Sequence, residues 1–166
     1  MIRKAQGDFW EFVEGNTKRV PAVGGGVAGV APVWQAPGID TLKINVDAAV
    51  DKRVASIATG AIVRDYVGTV RGLLVDKVGG VVSSRVAEAM AIRDGMKLGI
   101  TMGLRRVAIE SDAEAIVKCF SMRGDPPLDV AVIVSDCRAL MASFDSCDVL
   151  FIAMLEQVLV LRAAFK

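Results

Sequence analysis

A chain of 166 residues with 53% apolar but only 5% aromatic residues suits one α/β or α+β domain able to bury about two thirds of its unfolded surface. A net charge of +1 excludes a global field that draws the protein to nucleic acid or an anionic membrane, so such binding must come from a local patch. The three cysteines (Cys119, Cys137, Cys147) form no CxxC pair, and histidine is absent, which excludes the usual zinc sites and Ser-His or Cys-His catalysis. Any chemistry must rest on carboxylates, lysines, hydroxyls or a metal.

Residues 1–33 read as a lead-in: a charged start without a signal-peptide core, then a Gly/Val/Ala/Pro tract of linker type. Gly24-Gly25-Gly26 lacks the Gly-Lys-Ser/Thr and the preceding strand of a phosphate loop. Pro21, Pro32 and Pro37 interrupt the longest uncharged run, so no spanning helix is expected. The expectation is a soluble, intracellular protein away from the membrane; nucleus and cytoplasm are not distinguished, nor is the oligomeric state.

The domain proper is expected over residues 34–166. In LKINVDAA (42–49), Leu42, Ile44 and Val46 alternate with Lys43, Asn45 and Asp47, the period of a strand with one buried face. Asp47 is expected at its tip. Residues 56–64 and 69–77 follow as strands around the turn Asp65-Tyr66-Val67-Gly68, which predicts a three-strand meander. A long helix is expected over 83–102, capped by Ser83 or Ser84 and stopped by Gly103. Its small residues Ala87, Ala91, Gly95 and Gly99 recur every four positions, a stripe that lets a helix lie close on a sheet.

Residues 106–110 read as a strand, and the strand–helix–strand order makes a crossover to a parallel partner. Ser111 and Glu114 fit a capping box for a helix to about residue 122, leaving Asp112 free of the cap. A third helix is expected with Asp125 as its cap and Pro127 in its first turn, running to Phe144 and burying Ile133, Cys137, Leu140 and Phe144. Residues 149–154 complete the strands, and a terminal helix occupies 155–166.

In such a sheet the functional crevice opens at the carboxyl ends of the parallel strands. Asp47 and Asp112 fall there, and Glu88, near the start of the long helix, can lean over it. Three converging carboxylates repel one another unless a cation compensates, and oxygen-only ligation selects Mg²⁺ or Mn²⁺. Two such ions about 4 Å apart clamp the attacking and leaving oxygens of a phosphodiester. Spacing alone equally allows three unrelated structural roles: a turn residue, a solvated helix residue and a helix-terminus charge.

The segments WQAPGIDTLKINVDAA (34–49), GAIVRDYVGTV (60–70), AEAMAIRDGMKLGI (87–100) and VAIESDAEAIV (107–117) resemble, in order, the ribonuclease H type 1 domain. The likeness is to its reverse-transcriptase-like branch, common in plant retroelement-derived proteins. The resemblance implies a five-stranded mixed sheet flanked by helices and two-metal cleavage of the RNA strand of RNA–DNA hybrids. It also implies that Asp47, Glu88 and Asp112 are catalytic metal ligands, matching the aspartate of the family's NVDGA-like motif, the glutamate of its AEA and the aspartate of its ESDA.

The chain departs from the family at its end. The family places an Asn-led helix there, with a further aspartate or histidine; this sequence has LEQVLVLR (155–162), with Leu161 or Arg162 at the acid's position. That departure keeps an alternative open: a catalytically impaired nucleic-acid-binding or interaction module on the same fold. An A-form-like hybrid is read through its backbone and 2′-hydroxyls. The expected contacts are Arg85 and the backbone amides of Ala48 and Ala49, with Arg93, Lys97, Arg105 and Arg106 as a local basic surface. Arg64 and Arg71 read as solvated strand-face charges.

Overall fold

The structure, a computed structural model, describes residues 35–80, 83–121 and 125–153. Among these residues five strands and three helices follow one another as β1 (Leu42–Asp51), β2 (Ser56–Arg64), β3 (Val70–Gly79), α1 (Ser84–Thr101), β4 (Arg106–Ser111), α2 (Glu114–Ser121), α3 (Ala131–Met141) and β5 (Ser146–Phe151). They build one mixed sheet in the order β3-β2-β1-β4-β5. The β1–β2 and β2–β3 pairs are antiparallel, and the β1–β4 and β4–β5 pairs are parallel. This is the expected five-stranded mixed sheet, meander and crossover included.

The apolar face of β1 explains why α1 lies where it does. Ile44 and Val46 are fully buried, and the small-residue stripe of α1 sits on them. A Cβ at Gly95 would come within 2.5 Å of Val46 Cγ1, and one at Gly99 within 3.2 Å of Ile44 Cδ1, so the helix axis approaches as closely as glycine permits. The Ser83 side chain caps α1 by accepting from the Val86 amide at 3.2 Å. Gly103, at φ +69°, ends it, donating its amide to the Ile100 carbonyl at 2.9 Å. Ile92 and Met96 of α1, Val107 and Ile109 of β4, Val134 and Cys137 of α3, and Phe144 complete the core. Each fully buried aliphatic side chain contributes about 1.5–3 kcal/mol.

Several boundaries differ from the sequence reading. Asp47 does not end β1: the strand continues to Asp51, carried by its ladder with β2. The capping box at α2 does not form. Ser111 is the last residue of β4 and its hydroxyl accepts from the Ala113 amide, while the Glu114 carboxylate pairs with Lys118 at 2.8 Å. The third helix starts at Ala131, after a turn over 128–130, and stops at Met141. Neither Asp125 nor Pro127 lies in it, and Val134 is buried more fully than Ile133 or Leu140. Apolar character marked this segment as helical, but the Pro pair opens a turn instead of a first helical turn. The last strand begins at Ser146, three residues early, because its register is set by β4 (Arg106 opposite Ser146) and not by its apolar run. The lead-in at 1–33 and the terminal helix at 155–166 lie outside the described residues. Among the described residues no helix is long and apolar enough to cross a membrane.

Candidate metal centre

Unequal ladders create an opening beside β1. Its parallel pairing with β4 covers Leu42 to Asn45 only, Asn45 lying opposite Glu110, whereas its pairing with β2 runs on to Asp51. Beyond Asn45 one edge of β1 is therefore no longer covered by β4. Asp47 lies two residues past that last rung. β4 ends at Ser111, and Asp112 is the first residue after it. Glu88 comes from the second turn of α1, above the same opening. Each of the three half-buried residues offers a carboxylate oxygen, and these oxygens all lie within 4.8 Å of one another. The structure thus brings together the three acids singled out in the sequence.

Among the described residues, no cationic side chain offsets the shifts of Glu88 and Asp47. Burial pushes the Glu88 carboxyl up to about 8, helped by the charges of Asp47 and Asp112. Among the described residues Glu88 Oε2 is buried without a hydrogen-bond partner. Burial also raises Asp47; the Ala48 amide, donating to Asp47 Oδ1 at 2.8 Å, works against this, and Asp112 adds to it. An orphaned carboxylate oxygen beside two further acids is a donor set that fits a hard divalent cation. The thiols offer no competing chemistry: all three cysteines are free, and burial pushes Cys137 up to about 12 and Cys147 up to about 11.

The expected substrate contacts are altered by their surroundings. The Ala48 amide is engaged by Asp47, so it does not stand free for a ligand. Ala49 is exposed, opposite Ala58 of β2. Arg85 is about half exposed and pairs with Asp129, Nη2 to Oδ2 at 3.1 Å. Arg93 lies near Asp94 and Asp136, and Arg105 pairs with Asp145 at 2.6 Å, so much of the basic surface around α1 is neutralised locally; Lys97 and Arg106 are exposed. Arg71 and Arg64 are not simple solvated charges. Arg71 closes the β2–β3 hairpin against Asp65 at 2.7 Å, and Arg64 donates to Asn45 Oδ1 at 3.1 Å.

That last bond belongs to a network that the sequence reading missed. On the β1 face carrying Lys43 and Asn45, Lys43 Nζ lies 2.6 Å from Glu110 Oε1, and Asn45 Nδ2 donates to Glu110 Oε2 at 2.7 Å. Lys43 also donates to the Gln35 carbonyl. The Lys43 and Glu110 side chains are only 8% and 5% exposed. Alternation made these residues look solvent-facing. The available signal was the opposite charge of Lys43 and Glu110 on two strands expected to be parallel neighbours.

A sheet in this order, with an acidic cluster where β1 and β4 part, defines a ribonuclease H-like fold, and solved structures agree. The chain is similar to RNase H1 from the halophilic archaeon Halobacterium salinarum NRC-1 (16% identity, TM-score 0.63, covering 69% of this chain and 86% of that one). It is similar to the N-terminal RNase H domain of rv2228c from Mycobacterium tuberculosis (18%, 0.66, 74% and 88%). LC11-RNase H1, solved in complex with an RNA/DNA hybrid, matches at 14% identity with TM-score 0.59, over 68% and 86%. No curated protein sequence matches. The family model described as reverse transcriptase-like matches residues 45–160, and the chain belongs to that family.

Proposed function

We propose that the protein is a metal-dependent endonuclease of ribonuclease H type that hydrolyses the RNA strand of RNA–DNA hybrids. The convergence of Asp47, Glu88 and Asp112 within 4.8 Å carries this reading. It is supported by the fold and by the LC11 relative seen with a hybrid. Asp47, Glu88 and Asp112 would hold Mg²⁺ or Mn²⁺, and a bound pair of such ions supplies Lewis-acid stabilisation to the attacking and leaving oxygens of a phosphodiester. The protein's part is to gather three carboxylates from a strand, a helix and a loop, with Glu88 Oε2 left without a donor among the described residues. Holding them half-buried strengthens their attraction for a cation over that of exposed acids. Substrate binding rests on backbone contacts and is salt-sensitive; Arg85 can exchange its exposed partner Asp129 for phosphate at small cost.

The test is cleavage of a labelled hybrid with Mg²⁺ or Mn²⁺, beside Asp47→Asn. Loss of one ligand carboxylate is expected to lower the rate about a thousandfold, several kcal/mol of transition-state stabilisation. Wild-type protein that binds the hybrid but leaves it intact in both metals overturns the nuclease reading. That result favours the second reading, an impaired binding module, which the sequence supports: LEQVLVLR (155–162) places Leu161 or Arg162 where the resemblance implies a fourth acid.

A further inference from the structure

We propose that Asn45 and Glu110 are positioning residues that set the separation of Asp47 and Asp112. Asn45 opposite Glu110 is the last rung of the parallel β1–β4 ladder, and each lies two residues before one of the two aspartates. Across that rung the side chains are joined by the 2.7 Å bond from Asn45 Nδ2 to Glu110 Oε2. Lys43 grips the other Glu110 oxygen at 2.6 Å, and Arg64 of β2 holds Asn45 Oδ1 at 3.1 Å. Three strands are thereby tied at the point where the ladder opens.

Stability alone does not call for this arrangement. A buried ion pair is often no better than apolar residues of the same volume, because desolvation offsets the Coulomb attraction. What the bridge supplies is geometry. A parallel pair that has just lost its ladder is free to splay, and the repulsion between Asp47 and Asp112 drives it to do so. A charge-assisted bond across the last rung resists that opening. The bridge lies between strands, two residues before each aspartate, and it acts on them through the backbone of β1 and β4.

This inference rests on the metal-site reading, and its test separates the two. Mn²⁺ affinity is measured by electron paramagnetic resonance of the free ion, on protein shown folded by circular dichroism. Asn45→Val keeps a strand-forming side chain of similar size and removes the bridge. It is expected to bind Mn²⁺ about tenfold more weakly, the lower end of what losing an indirect support does to a metal site. Asp65→Asn, which loosens the remote hairpin clasp, is expected to bind as the wild type does. Where Asn45→Val does not fold, the Glu110 pair serves instead: Glu110→Gln keeps an oxygen for the Asn45 amide and is expected to recover most of the affinity that Glu110→Ala loses. Wild-type binding with undiminished Asn45→Val affinity overturns the positioning role alone, as does equal weakening by Asp65→Asn. A wild type that binds no Mn²⁺ overturns the metal site, and this inference with it.

Discussion

Glu88 and Glu110 are two shielded glutamates near the same seam, and their surroundings are opposite. Glu110 is met by a lysine ammonium and an asparagine amide, each within 2.7 Å. Glu88 faces two aspartates and leaves a buried oxygen without a hydrogen-bond partner among the described residues. Burial of a carboxylate is thus not informative by itself; what separates architecture from candidate chemistry is whether the fold supplies the opposite charge. At Glu110 it does, and the residue ties strands together. At Glu88 the described residues give Oε2 no hydrogen-bond donor, which is the place the proposed cation would take.

The contrast is most sharply broken by removing Glu110. Glu110→Ala strands the Lys43 charge in a buried site and is expected to destabilise by about 3–5 kcal/mol in urea unfolding, whereas K43M/E110L together recovers most of that loss. Divalent ions are expected to act on the other glutamate. At a concentration about a hundred times its dissociation constant, Mg²⁺ or Mn²⁺ is expected to add about 2.7 kcal/mol to the wild type, read as a rise in Tm, and much less to Glu88→Gln.

The metal-free protein carries a pH signature of the same imbalance. Glu88 holds its proton up to about 8 in the folded chain against an ordinary 4.5. The folded state therefore binds more protons than the unfolded one across that window, and stability falls as pH rises through it. The raised carboxyl of Asp47 adds to the fall with the same sign. Glu88→Gln mimics the protonated form: it is expected to match the wild type below the window and to exceed it above by a few kcal/mol, checked by urea titrations across the range. The smallest effect is expected at a pair with water on both sides. Arg105→Ala, which breaks the exposed contact to Asp145, is expected to change stability by about 0.5 kcal/mol or less.

Much of this architecture was legible because it depends on local patterns. Alternation along 42–46 marked the central strand, and the span 56–64 was bounded correctly by turn chemistry at Asp65 and Gly68. The four-residue stripe from Ala87 to Gly99 pointed to close packing, which Gly95 against Val46 realises. Less legible were features set by a partner. The start of β5 follows its register with β4, and the length of β1 follows the β2 hairpin. The fate of Ser111 depended on β4 running one residue further, which removed it from the helix it was expected to cap. Arg85 and the Ala48 amide were assigned to a substrate from position alone, and position does not reveal a neighbour such as Asp129 or the adjacent carboxylate.

By itself, then, the sequence determined the order of strands and helices, the helix that lies on β1, and the identity of three acids spread over 66 positions from Asp47 to Asp112. These follow from side-chain periodicity and backbone chemistry, which act between near neighbours. Only the tertiary structure decided that the acids share one opening, that Glu88 lacks a hydrogen-bond partner there among the described residues, and that Lys43, Asn45 and Glu110 are buried together. Burial and charge compensation are sums over groups remote along the chain, and they take a value only once the strands are side by side.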